Sequence, residues 1–188
     1  MKNIIFIFVF SSSIFFSYSQ ELNLKKKQNI IDNGLVESYF VLKNNKKIKQ
    51  GEYELKYNGK TIQKGSYSNN IKTGDWYYFN PNSKLDFIYN YDSLAIVSDT
   101  VGKDRLPFYS EGSGYFFYLI STNIKYPFEA VEKRAFGTVL IKFIIDIDGR
   151  AKDFKIELGC GNISLNNEAL RVVKKVSMEY SWFPMINS

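Results

Sequence analysis

Apolar positions along the chain change period three times. Ile4 to Phe10 is an unbroken apolar run; Ser11 to Ser13 interrupt it, and Ile14 to Phe16 complete it. From Tyr39 to Tyr91 the period is two. Tyr53-Glu54-Leu55-Lys56-Tyr57 sets aromatic and aliphatic residues on one side and charges on the other. That alternation predicts half-buried antiparallel strands. Between the strands lie Asn44-Asn45, Asn58-Gly59, Asn69-Asn70 and Asn80-Pro81-Asn82, all turn signals. Leu94 to Lys103 starts as a strand and ends as a connector.

Past residue 112 the pattern becomes mixed. Residues 113–123 predict a helix with a buried stripe of Phe116, Leu119 and Ile120. A second, short helix follows, with Pro127 at its first position and Phe128 to Arg134 behind it. Val139 to Ile147 and Ala151 to Leu158 alternate as two strands, with Asp148-Gly149 as a two-residue turn. A last helix is expected from Leu165 to Ser177, capped by Ser164 or Asn166. Its stripe is Leu165, Ala169, Val172, Val173 and Val176. The fold class expected is α+β: an N-terminal antiparallel β repeat sheet, then a helix-hairpin-helix module.

The N-terminal run reads as a secretory signal. Lys2 supplies the positive start, and Ser17-Tyr18-Ser19 places small residues before a cleavage point at Gln20. A retained anchor is the rival. Ile4 to Tyr18 makes about 22 Å of helix, short of a ~30 Å hydrocarbon core. The expected organisation is a signal peptide over 1–19, a repeat region over 20–98, a linker over 99–112 and a C-terminal module over 113–188. The location is then periplasmic or cell envelope, with membrane association only if the N-terminal segment is retained.

Composition narrows the chemistry. The 188 residues contain no histidine and one cysteine. That excludes Ser-His-Asp and Cys-His machinery, His-ligated metals, Cys-rich zinc sites and internal disulfides. Cys160, between Gly159 and Gly161, reads as a small loop residue with no base beside it. Asp146 and Asp148 stand before Gly149 and read as turn residues; Asp-x-Asp-Gly lacks the later ligands of a calcium loop. Asn162-Ile163-Ser164 matches a glycosylation sequon and reads as a chance match. No catalytic, cofactor-binding or metal-ligating residue is assigned, no cofactor is expected, and the chain reads as a binding protein, not an enzyme. Net charge is +6. Part of it lies in Lys43 to Lys49, read as a solvated hairpin loop and no ground for a nucleic-acid partner.

Two segments resemble known families. Gly51, Tyr53, Gly59, Gly65, Tyr67, Gly74 and Trp76 follow a G-x-Y then G-x-W rhythm that resembles the MORN-type repeat. Such repeats serve as binding or spacing modules. A longer run looks like the C-terminal domain of TonB: Tyr126-Pro127, Ala130, Gly137-Thr138-Val139, Phe143, Ile145-Asp146, Asp148-Gly149-Arg150, Glu168-Ala169-Leu170 and Trp182-Phe183-Pro184. Pro107-Phe108 and Gly112 match the extension of TonB-like proteins in Bacteroidota. That resemblance implies a periplasmic protein-interaction module in energy-coupled transport across the outer membrane. It binds an extended receptor peptide at a sheet edge, by β-augmentation. In the family a further strand follows Trp-x-Pro. Here that strand is expected to be missing, because the sequence stops at Ser188. The alternative is a structural or adaptor envelope protein without a transport role, a truncated family member. The partner is then another envelope protein, or a second copy at a sheet edge.

Overall fold

The four Asn-bearing turn signals each join two strands. The computed structural model of the chain describes residues 23–32, 34–99 and 107–184. Its first seven strands are β1 (Leu24–Asp32), β2 (Leu35–Leu42), β3 (Lys49–Tyr57), β4 (Lys60–Ser68), β5 (Ile71–Phe79), β6 (Leu85–Asn90) and β7 (Ala95–Asp99). They form one antiparallel sheet in which each strand pairs with its sequence neighbours. Asn58 and Gly59 both have positive φ (48° and 78°), as do Asn69 and Asn70 (49° and 69°). These are the two-residue turns whose twist matches that of the flanking strands. The sheet starts earlier than the repeat pattern. The Lys-rich strand β1 alternates little, yet pairs with β2 from Leu24↔Leu42 to Asp32↔Leu35.

One face of the sheet carries the core. Tyr39 lies opposite Tyr53, Tyr53 opposite Gly65, and Trp76 opposite Tyr89. A parallel row runs through Leu55, Gln63, Tyr78 and Phe87. Trp76, Tyr78 and Phe87 are completely buried. Helix α1 (Gly112–Asn123) crosses this face. Two glycines bring it close: a Cβ on Gly114 would stand 2.4 Å from the Phe79 carbonyl oxygen, and one on Gly112 would stand 3.0 Å from Tyr78 Cβ. No side chain within the helix caps its start. Instead Asp86, on β6, accepts from the Ser113 amide at 2.9 Å and its hydroxyl at 2.5 Å. Of the expected stripe, Leu119 is buried and Phe116 and Ile120 pack half-buried against the same core, with Tyr118 buried beside them. The helix touches the sheet on one side and a second helix on another, which widens its buried arc.

The C-terminal elements are β8 (Phe108–Tyr109), α2 (Phe128–Glu132), β9 (Leu140–Ile145), β10 (Ala151–Leu158), α3 (Ile163–Ser177) and β11 (Trp182–Phe183). Strands β9 and β10 form a two-stranded antiparallel sheet. Strand β11 pairs with β8, an element the apolar pattern does not reveal. Phe183 faces Tyr89 at 5.1 Å between ring centroids and Phe87 at 5.8 Å. One hydrophobic cluster therefore joins the seven-stranded sheet to α1, β8, β11 and α3. The architecture is α+β, as the sequence predicts.

Three local expectations are corrected. Pro127 precedes α2 as its cap, with ψ 139°, because its backbone stays extended. Helix α3 starts two residues early: the Asn162 side chain accepts from the Leu165 amide, a bond that neither Ser164 nor Asn166 makes. The β9–β10 connection spans Ile147 to Gly149, not two residues. Only Gly149 has positive φ (73°), and its amide reaches the Asp146 carbonyl at 3.0 Å. That is a three-residue turn closed by a glycine. The signal-peptide reading of 1–19, residues 100–106 of the expected linker, and 185–188, where a further strand would follow, lie outside the described residues. Among the described residues no helix is long and apolar enough to cross a membrane.

Candidate protein-binding edge

The β9–β10 hairpin has two dissimilar faces. Ile141, Phe143, Ile145, Phe154 and Ile156 are half-buried toward α3, whose Val172 and Val176 are fully buried. Phe143 stacks on Phe154 at 5.0 Å and meets Trp182 edge-on at 5.4 Å. Trp182 also fixes the hairpin's tip. Its amide donates to the Gly149 carbonyl at 2.9 Å and its indole to the Ser177 carbonyl at 2.9 Å. A Cβ on Gly149 would stand 2.2 Å from the Trp182 carbonyl oxygen, so this position needs glycine for space as well as for φ.

The outward face pairs Leu140 with Leu158, Lys142 with Lys155, and Ile144 with Lys152. Leu140 (55 %), Ile144 (49 %) and Leu158 (63 %) are strongly exposed for such side chains. Nearby in sequence, Tyr126, Phe128, Val131 and Phe136 are exposed too.

The hairpin's two outer edges are not equivalent. Between Lys152 and Lys155, β10 advances three residues while β9 advances two, and Asp153 takes positive φ (55°). This bulge breaks the ladder, and Lys152, Asp153, Lys155 and Glu157 add charge along it. Bulges and charged side chains are how edge strands are kept from pairing. Strand β9 has no positive φ and one charged residue, Lys142. Among the described residues its only strand partner is β10. At the large sheet's edges, β1 carries Lys25, Lys26 and Lys27 plus a register shift near Asp32, and β7 is five residues long. The outer edge of β9 is the least guarded backbone of the four.

Helix α3 is tied to the segment before α2. Arg171 holds Glu168 through Nε and a terminal nitrogen, each at 2.7 Å. Glu168 also accepts from the Lys125 amide at 2.7 Å, and Arg171 donates to the Asn123 carbonyl. The Arg171 hydrogen bonds hold the Glu168 carboxyl below the usual carboxylate range, the Lys125 amide adding to this.

The polar residues singled out by sequence occupy structural places. Asp146 accepts from the Arg150 and Asp148 amides at 2.9 and 3.1 Å, with Lys152 at 3.7 Å. Those bonds, the Arg150 amide first, lower its carboxyl. Cys160 is half-buried, its Sγ 3.3 Å from Asn166 Oδ1. Asn162 spends its side-chain oxygen on the α3 cap and on the Ser164 hydroxyl. Lys43, Lys46 and Lys47 project from the β2–β3 loop, whereas Lys49 belongs to β3 and pairs with Glu37 at 3.2 Å. Among the described residues no three His, Cys, Asp or Glu side chains gather as a ligand set. The asymmetry of the hairpin's two edges is not legible in the sequence, because Asp153 carries no turn signal.

Residues 122–187 match the family model described as Gram-negative bacterial TonB protein C-terminal. That span takes in α2, the β9–β10 hairpin, α3 and β11; strands β1 to β7 lie outside it. No curated protein and no solved structure matches the chain.

Proposed function

We propose that the protein is a TonB-like periplasmic interaction module that receives an extended protein segment along the outer edge of β9. The observation that carries this reading is the contrast between the two hairpin edges. Strand β10 is bulged and charged, whereas β9 is regular and exposes Leu140 and Ile144 beside its open backbone. A sheet edge gives affinity through main-chain hydrogen bonds, and side chains on alternate positions give selectivity. Helix α3 and Trp182 hold the hairpin from behind, so the edge is ordered before a partner arrives. Ordering in advance lowers the entropic cost of binding.

Similarity to the TonB C-terminal family supports the partner class, a periplasmic segment of an outer-membrane receptor, and a part in energy-coupled transport. The seven-stranded sheet is then a platform fused to this module through one core. The reading is of a binding protein: Asp146 holds a turn and Asn162 a helix cap.

Calorimetric titration of the chain with synthetic peptides from the periplasmic N-termini of outer-membrane receptors tests this. A saturable heat is expected, weakened about fivefold in Ile144→Asp, the upper end of one cross-strand pair. No heat from any such peptide would refute the reading.

A further inference from the structure

A cavity of about 280 Å3 lies between the core face of the large sheet and α1, away from the hairpin. Residues of strands β2 to β5 line one side, and Tyr115 of α1 and Tyr180 line it too. Its chemistry differs from that of the surrounding core. Tyr53 is 9 % exposed, and neither its hydroxyl nor that of Tyr67 has a hydrogen-bond partner among the described residues. Neither oxygen is sealed from solvent, so both phenols stand open to a ligand's hydrogen bonds from within the cavity.

Three further polar groups converge there. Gln63, 3 % exposed, donates its amide to the Glu111 carbonyl at 2.8 Å and to the Glu111 carboxylate at 3.0 Å. Lys72 Nζ stands 3.6 Å from the same carboxylate and 4.3 Å above the Trp76 ring. The lysine and glutamate charges cancel. An ionic ligand would bring an unmatched charge among aromatic rings, which is unfavourable. A neutral ligand bearing several hydroxyls would meet phenols that both donate and accept, and its C–H face would rest on a tyrosine ring. The volume sits at the low end of small-molecule pockets, room for one ring and not for a chain.

We propose that this cavity binds a single neutral pyranose ring, either a free monosaccharide or the end of a glycan. Tyr53 and Tyr67 would bond its hydroxyls, beside Gln63, Lys72 and Glu111. The site is independent of the β9 edge.

Aromatic-ring NMR of the full chain during separate titrations with glucose, galactose and N-acetylglucosamine tests it. At least one sugar should give saturable shifts of the Tyr53 and Tyr67 ring signals. The oligosaccharide of the same sugar then separates the sources: tighter binding marks a glycan end, equal or weaker binding a free sugar. Tyr53→Phe and Tyr67→Phe, which keep the rings, should each weaken binding about tenfold, as loss of one hydrogen bond does. Absence of saturable shifts with all three sugars would overturn the proposal. So would shifts produced by sodium phosphate or acetate alone, which would mark an anion site.

Discussion

Gly65 lies directly beneath the indole of Trp76: a Cβ placed on the glycine would fall 2.4 Å from Cδ2 and 2.5 Å from Cε2. The contact explains glycine at this position; Gly59 and Gly74 have open space around them and take positive φ instead. Tyr53 and Tyr67 flank the same indole at 5.3 and 5.2 Å, and its N–H donates to the Ser66 carbonyl at 3.2 Å. Gly65→Ala forces the fully buried ring to move. The expected loss is about 1–3 kcal/mol, the usual cost of overpacking. Thermal unfolding should show a lower Tm with the fold retained. An unchanged Tm would mean that the ring relocates freely.

The buried phenols predict an alkaline limit. Burial, then nearby glutamates, pushes Tyr67 up to about 12. Burial also raises Tyr53, Tyr78, Tyr109 and Tyr115. Their folded values exceed the unfolded one, so the stabilisation is complete below the ordinary tyrosine range. It is lost as pH rises through that range toward the folded values. Chemical denaturation across alkaline pH should show falling stability above about pH 10. Ultraviolet titration should show a second, late class of tyrosines. A single class at the ordinary value would contradict this packing.

Phe183 predicts how firmly the C-terminal elements hold the sheet. Its ring lies on Tyr89 and Phe87, and its backbone pairs with Phe108. Phe183→Ala removes a half-buried aromatic and should cost about 2–4 kcal/mol. The unfolding transition should stay single, because one hydrophobic cluster spans sheet and helices. Two separated transitions in the native chain would show that the sheet and the C-terminal elements melt independently.

Much of this architecture is legible in the sequence because local chemistry and tertiary demand agree. Asn58-Gly59 and Asn69-Asn70 fix two-residue turns by backbone preference alone. Period-two alternation around Tyr53 and Leu55 fixes which face is buried. The Val172–Val176 spacing marks the buried side of α3. What escaped depends on distant partners. Strand β1 exists because β2 offers it a ladder, despite three consecutive lysines. Asp86 caps α1 from another strand. Trp182-Phe183 becomes a strand only through Phe108-Tyr109. The Asp153 bulge, which decides between the hairpin's edges, needs a left-handed residue that aspartate tolerates without advertising. The tyrosine-lined cavity is invisible for the same reason, since alternation marks a buried aromatic but not the space beside it.

The most direct test of the proposed binding mode is an amide-resolved NMR titration of the chain with a synthetic receptor N-terminal peptide. Saturable shifts and slowed hydrogen exchange should concentrate on Leu140 to Ile145, with smaller changes on β10 across the hairpin and none at β1 or β7. Saturable binding whose shifts fall on β1, β7 or the outer edge of β10, and leave Leu140 to Ile145 unmoved, would contradict it.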